Sequence, residues 1–378
     1  MLGFVSLFMD VSSELIHSLL PVFLVTGLGA TMFAVGIIEG VAEATALIVK
    51  VFSGAISDYL GRRKGLTVLG YGLGAASKPL FALALTVHWV FVARFMDRIG
   101  KGIRGAPRDA LIADLTPPEI RGAAYGLRQS LDTVGAFVGP LLAVGLMLAW
   151  ANDFRAVFWF AVIPAVLSVL ILVFGVQEPG TGRDRGKAVS PIRWRTLGEL
   201  SRNYWWVVAA GGIFTLARFS EAFLILRAQQ LGLADAYTPL VLVVMNVVFA
   251  VSAYPFGKLA DRVSHQFLLV AGLAVLIVSD VTLAQAQGLV AVAAGVALWG
   301  LHMGMTQGLL ATMVAGTAPA HLRGTAFGFF NLASGVAMLV ASVLAGLLWD
   351  RLGAAATFYA GAVFSVLALT LLLLRRRS

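Results

Sequence analysis

With 378 residues, 59% of them hydrophobic and only 12% charged, the chain cannot clothe a soluble surface, which draws on about 25% charged residues. Composition makes it a polytopic membrane protein, so the net charge of +9 is read against a bilayer and not as a nucleic-acid footprint. The absence of cysteine excludes disulfides, thiolate metal sites and cysteine nucleophiles.

A membrane-crossing helix needs about 20 mostly apolar residues. Breaks at glycine, proline and charge clusters predict twelve spans, near 3–27, 33–57, 66–87, 90–113, 122–149, 155–176, 204–230, 237–258, 266–287, 289–315, 323–348 and 354–374. The first enters its apolar run at once and holds Asp10 and Glu14 without a basic leader, unlike a cleaved signal peptide. Asp10, Glu14 and His17 follow one another at helical spacing and share a face, as do Glu39, Glu43 and Lys50 in the second span.

The fourth span is the most unusual. Arg94, Asp97, Arg98, Lys101, Arg104 and Arg108 fall on one side of a helix. Each charge left facing lipid would cost about 2.5–3.5 kcal/mol, so the rest of the chain is expected to build an interior for this stripe. Span five adds Arg128 and Asp132, and span seven Arg218 and Glu221. Span ten has His302, Thr306 and Gln307 but no cation, and Asn246 and Asn331 lie in spans eight and eleven. The first half is thus ionic, the second apolar with a few amides. Asp132, with Arg128 one turn away, and lone Asp280 in span nine are expected to be structural. So is His302, as a hydrogen-bonded helix contact.

Lysine and arginine cluster on one set of loops: Arg62, Arg63 and Lys64; Arg121; 183–202; Lys258 and Arg262; Arg323; and Arg375–Arg377. The opposite loops hold little beyond Arg155, Arg227 and Arg351. Cytoplasmic loops carry the positive excess, so both termini and the central connection are expected in the cytoplasm, with the protein in the cell (inner) membrane.

The two halves repeat. GAISDYLGRRKG begins at Gly54 and GKLADRVSHQF at Gly257, and IRGAAYGL at Ile120 is echoed by LRGTAFGF at Leu322. Six spans repeated in one sense suggest two bundles, expected at 1–176 and 204–378 with a linker at 177–203, and repeats of this kind typify secondary transporters. An enzyme is not expected, since no nucleophile, base and orienting group occur together. No phosphate-binding G-x-x-x-x-G-K-[ST] loop is present either.

Over essentially its whole length the chain resembles the major facilitator superfamily. Gly54, Asp58, Gly61, Arg62 and Arg63 fill that family's G-x-x-x-D-x-x-G-R-[KR] motif. The second copy keeps Gly257, Asp261 and Arg262 but has Ser264 in place of glycine. Arg98 and Gly102 fit R-x-x-Q-G, with Lys101 where glutamine is usual. Gly135, Gly139 and Pro140 match the G-x-x-x-G-P pattern that the family's proton-coupled exporters tend to carry, though Ala143 and Val144 replace the following glycines. The resemblance implies an all-α fold of twelve transmembrane helices in two pseudo-symmetric six-helix bundles. It also implies a conformational latch made of Gly54, Asp58, Gly61, Arg62 and Arg63, and the copy Asp261 and Arg262, in which the cations meet acids at neighbouring helix ends, Asp109 or Asp114.

The expected function is secondary transport of a small amphipathic or anionic organic solute by alternating access, as proton-coupled efflux. Asp10, Glu14, Asp97 and Glu221 are the candidate proton carriers. Arg98, Lys101, Arg104, Glu43, Arg218, Gln307 and Asn331 are the candidate substrate contacts. By depth, Glu14 is expected near Lys101 and Asp10 near Arg104. The alternative is an organic-anion or metal-chelate uptake carrier or facilitator, in which Asp10, Glu14 and His17 could hold a divalent ion. No cofactor is expected beyond the proton. The expected partners are the substrate and the lipid bilayer, no nucleic acid is expected, and the protein is expected to be a monomer.

Overall fold

A computed structural model describes residues 1–60, 63–177, 194–306, 308–319 and 322–374. The first stretch of chain runs through α1 (Leu2–His17), α2 (Leu20–Val22), α3 (Met32–Leu60), α4 (Arg63–Leu83) and α5 (Val87–Leu115). There follow α6 (Arg121–Ala149), α7 (Phe154–Phe160), α8 (Val162–Gly175), α9 (Arg202–Leu216) and α10 (Ala222–Gln230). The remainder forms α11 (Leu240–Ala260), α12 (His265–Gln285), α13 (Leu289–Thr306), α14 (Leu309–Thr317), α15 (Arg323–Leu352) and α16 (Ala354–Leu374).

Among the described residues, ten stretches are long and apolar enough to cross a membrane. The fourth and seventh expected spans fall short for different reasons. Helix α5 has the length, 29 residues, but carries the charged stripe. The seventh is interrupted: α9 has 15 residues, α10 has 9, and 217–221 between them are not helical. Local chemistry marks the other boundaries. The side chains of Thr86, Asp153, Ser201 and Ser264 accept backbone N–H groups at the starts of α5, α7, α9 and α12, satisfying donors a helix end leaves open. The first span bends at its end, where Pro21 opens α2 and a π-helical turn runs through Phe23–Gly27.

The helices pack as two compact units. The first comprises residues 1–23 and 41–191, the second 24–40 and 192–378. In the first, α1 lies against α6 and α8, and α4 against α5. Its core includes Leu2, Val5, Met9, Tyr71, Leu111, Ala165 and Leu172. Hydroxyls tie these helices together: Ser12 Oγ donates to the Ala161 carbonyl at 2.7 Å and Ser168 Oγ to that of Val5 at 2.6 Å. In the second unit, α13 packs on α11 and α12, and α16 on α12. Phe219, Phe223, Trp299, Trp349 and Phe358 form one aromatic cluster there.

Two features of the second unit could not be read from composition. Arg227, expected as a loop cation, is buried in α10 and donates to the carbonyls of Leu283, Ala284 and Ala286. It thereby satisfies acceptors left open at the end of α12. The start of α3 docks on α15, backbone against backbone. A Cβ on Gly36 would collide with the Ser342 carbonyl, and one on Gly346 with the Met32 carbonyl. Asp350 clamps the junction, accepting from Met32 N at 3.1 Å and Phe33 N at 2.8 Å. Because both carboxylate oxygens serve as a helix cap, Asp350→Ala is expected to cost about 1 kcal/mol and Asp350→Asn less. Thermal unfolding of the detergent-solubilised variants measures this.

Candidate functional site

The first unit assembles its charges in two layers. The deeper one lies between α4 and α5. Lys78 Nζ meets Asp97 Oδ1 at 2.7 Å, with side-chain exposures of 1% and 5%, and also donates to Ser13 Oγ on α1 at 3.0 Å. Arg98 holds Asp97 loosely at 3.9 Å and reaches Glu43 on α3 at 3.3 Å. Buried charges persist in an apolar interior only when paired in this way. Lys78 escapes the sequence reading. The signal was present, since it is the one charge within the apolar part of α4, and an intramembrane ionisable residue marks an interior partner.

The shallower layer is more accessible. Glu14 and Glu43 side chains are 23% and 33% exposed, and Lys101 is exposed. Lys101 stands within electrostatic reach of Glu43, Glu14 and Asp10, yet no carboxylate oxygen lies within ion-pairing distance of it among the described residues. Glu14 contacts His17 at 3.4 Å. Arg104 is buried, and its guanidinium stacks over the Tyr71 ring at 4.9 Å, a cation–π arrangement. It is within electrostatic reach of Asp10, with no hydrogen bond between the two.

Helix α6 forms the floor under both acids of α1. A Cβ on Gly135 would lie 2.9 Å from Asp10 Cβ, and one on Gly139 would lie 2.8 Å from Glu14 Cβ and 2.9 Å from the Val11 carbonyl. Pro140 is buried beside them within the helix. The absent side chains let α1 approach at backbone distance and set where the carboxylates stand.

Further along α5 the charges are locally engaged. Arg108 meets Asp109 at 3.1 Å and donates to Ser6 Oγ at 2.7 Å. Arg128 meets Asp132 at 2.7 Å and Asp109 at 3.9 Å. At the start of α4, Arg63 pairs with Asp114 at 2.5 Å and donates to the Ala110 carbonyl. Of the two acids considered for the latch, Asp114 thus meets Arg63 and Asp109 meets Arg108. Gly54 faces Ala106 Cβ of α5 at 3.4 Å. Gly61, Arg62 and the side chain of Asp58 lie outside the described residues, as does most of the 177–203 linker.

The remaining expected residues belong to the second unit. Arg218 and Glu221 lie in the interruption between α9 and α10, and the Arg218 guanidinium sits 5.9 Å over the Phe214 ring. Asn331 is half-buried in α15, and Gln307 lies outside the described residues. Asp261 and Arg262 are exposed at the end of α11. His302 Nδ1 bonds the Gly272 carbonyl at 2.8 Å, the helix contact expected of it. Among the described residues no three acidic or histidine side chains converge in a metal-binding group, and Asp10 stands apart from the Glu14–His17 pair.

The family model of the Major Facilitator Superfamily matches residues 2–342 and again 219–378. An uncharacterized MFS-type transporter of Methanocaldococcus jannaschii is 30% identical over 380 residues, covering 99% of this chain and 93% of the relative. The multidrug resistance protein MdtH of Salmonella typhi is 24% identical, over 89% of this chain and 82% of its own. The fold also matches the crystal structure of the human organic anion transporter MFSD10, with a TM-score of 0.68, 18% identity and 98% of each chain covered. With its helical, membrane-crossing architecture and an ionic interior that requires one, the chain belongs to the major facilitator superfamily and is an integral membrane transporter, not an enzyme.

Proposed function

We propose that the chain exports a small amphipathic organic solute in exchange for protons, by alternating access, as a monomer in the cell membrane with both termini cytoplasmic. The observation that carries this is the accessible trio of Glu14, Glu43 and Lys101, standing on a scaffold of closed ion pairs. Charges exposed within a membrane span must face water or a ligand, since facing lipid is too costly. Glu14 and Asp10 are the first candidates for the proton carrier, with Asp97 and Glu221 the alternatives should these two prove dispensable. Arg98, Lys101, Arg104 and Glu43 supply the polar contacts, with Arg218, Gln307 and Asn331 from the second half. The motif on α6 and the likeness to MdtH support export. The pair Arg63–Asp114 supports a latch that forms and parts with the transport cycle.

The sign of the proton linkage separates this reading from anion uptake. A solute that engages the carboxylates competes with protons for them, so acidification weakens its binding and protons travel the opposite way. An anion held by Lys101 and Arg98 binds better once the acids are neutralised, so protons travel with it. Coupling of this kind is reciprocal. The exposed Lys101, and the fold shared with an organic anion transporter, are what favour this second reading.

The test is thermal stabilisation by a panel of organic cations, anions, neutral amphiphiles and metal chelates across pH, since a ligand stabilises the state it binds. Flux of each stabilising compound is then measured in vesicles with a clamped pH gradient. Export predicts binding that weakens with acidification and flux that collapses with the gradient. Flux indifferent to the gradient rejects proton coupling. Lys101→Gln is expected to reduce anion binding about tenfold if an anion contacts it directly, and to leave a carboxylate-bound solute largely unaffected.

A further inference from the structure

The second unit holds a carboxyl group that none of the contacts above uses. Asp280, on α12, is 0% exposed, and neither of its oxygens has a hydrogen-bond partner among the described residues. Its immediate neighbours are the α16 backbone and an aromatic ring. A Cβ built on Gly361 would lie 2.8 Å from Asp280 Oδ2 and 3.0 Å from the Phe219 ring. Phe219 also packs on Trp299 at 5.3 Å and Phe358 at 5.5 Å. One turn along α16 from Gly361, the Ser365 hydroxyl is also buried without a partner.

Ionisable groups on the elements around it do not meet this carboxyl. Helix α12 has otherwise only His265, at its first residue, and α13 only His302, whose Nδ1 bonds Gly272. Helix α16 offers Tyr359 alone. Arg218 and Glu221 flank Phe219 in the chain, and Arg227 binds the last carbonyls of α12. None of them makes a hydrogen bond or ion pair to Asp280 among the described residues. An ionised carboxylate in such surroundings would be heavily desolvated with nothing to compensate it. A hard metal cation would require about six oxygen ligands, and among the described residues no group of three acidic or histidine side chains gathers here. An organic cation would need room that the contact with Gly361 denies. The proton is the one ligand that fits.

The ring that shares the Gly361 face with this carboxyl belongs to Phe219, in the five non-helical residues 217–221 that interrupt the seventh span. Interrupted membrane helices line coupling-ion sites in many secondary transporters, and a shift of this segment would break end bonds, such as Ala217 N to the Ile213 carbonyl and Ser220 N to Ser342 Oγ at 3.3 Å, and not the ladder inside either helix. We infer that Asp280 is a second proton-binding site, in the second unit, covered by Phe219 and uncovered when the 217–221 segment shifts. On uncovering, the carboxyl O–H bond breaks and the proton passes to entering water. The purpose of the site rests on the proton-coupled reading, but its chemistry does not.

Infrared spectroscopy of the full chain in lipid vesicles tests this without a substrate. The wild type is expected to show, at neutral pH, a protonated-carboxyl C=O band that is lost in Asp280→Asn. In D2O that band should exchange slowly in the wild type and at least tenfold faster in Phe219→Ala, which keeps the carboxyl but removes its cover. An undiminished band in Asp280→Asn, or exchange in Phe219→Ala at the wild-type rate, overturns the inference. Should the band behave as expected while wild-type flux ignores a pH gradient, the proton site stands and the coupled-transport reading falls.

Discussion

Replacing Gly139 with valine is expected to abolish transport, while Gly145→Val on the same helix leaves it near wild type. At position 139 the first added carbon would already lie 2.8 Å from Glu14 Cβ and 2.9 Å from the Val11 carbonyl, whereas around Gly145 nothing lies within 4 Å. The obstacle is backbone and Cβ, which no rotamer change can clear, so α1 must move away from α6. Overpacking of this kind costs about 1–3 kcal/mol. The larger effect is functional, because the displaced face of α1 carries both Glu14 and Asp10. Flux in vesicles, set beside the thermal unfolding midpoint, distinguishes misplaced acids from loss of fold. A folded Gly139→Val protein with normal transport would show that the position of these carboxylates is irrelevant to the mechanism.

The second large effect is expected at the buried pair. Among the described residues, Lys78→Met leaves the Asp97 carboxylate with Ser77 Oγ at 3.4 Å and Arg98 at 3.9 Å. Asp97→Leu leaves the Lys78 ammonium with Ser13 Oγ as its one partner among the described residues. Removing one partner from a buried ion pair typically costs about 3–5 kcal/mol, whereas replacing both with apolar residues is often close to neutral. Each single variant is therefore expected to unfold at a much lower temperature and the double variant to recover most of the loss. Proton-dependent flux should survive in the double variant if the pair is scaffold and the accessible trio does the work. Its loss in a well-folded double variant would move Asp97 into the proton path.

Individual residues show how far the sequence could be read. The charges of α5 had to turn inward, because lipid would not accept them, and Arg94, Asp97, Arg98 and Arg104 are all buried. The pairing of Arg128 with Asp132 followed from one-turn spacing along α6. Lys78 was overlooked because a single lysine in an apolar span has no periodic pattern to announce it, and its partner comes from another helix. Arg227 was misplaced because hydropathy sees a cation near a span end and cannot see the α12 carbonyls that draw it inside. The glycines of α6 were recognisable as a family pattern, but their physical reason, two acids of α1 seated on them, lies 125 residues away in the chain for both pairs, Gly135 with Asp10 and Gly139 with Glu14.

Composition, span length and the internal repeat were enough to establish a duplicated helical membrane transporter, since burial of apolar length and the cost of charge in lipid act locally and leave a periodic record. Which charges close on each other, which stay accessible, and that Asp280 has no partner among the described residues were settled by packing. Those outcomes depend on how closely helices distant in sequence approach one another, set by glycines and serines whose identity says little until the facing helix is known.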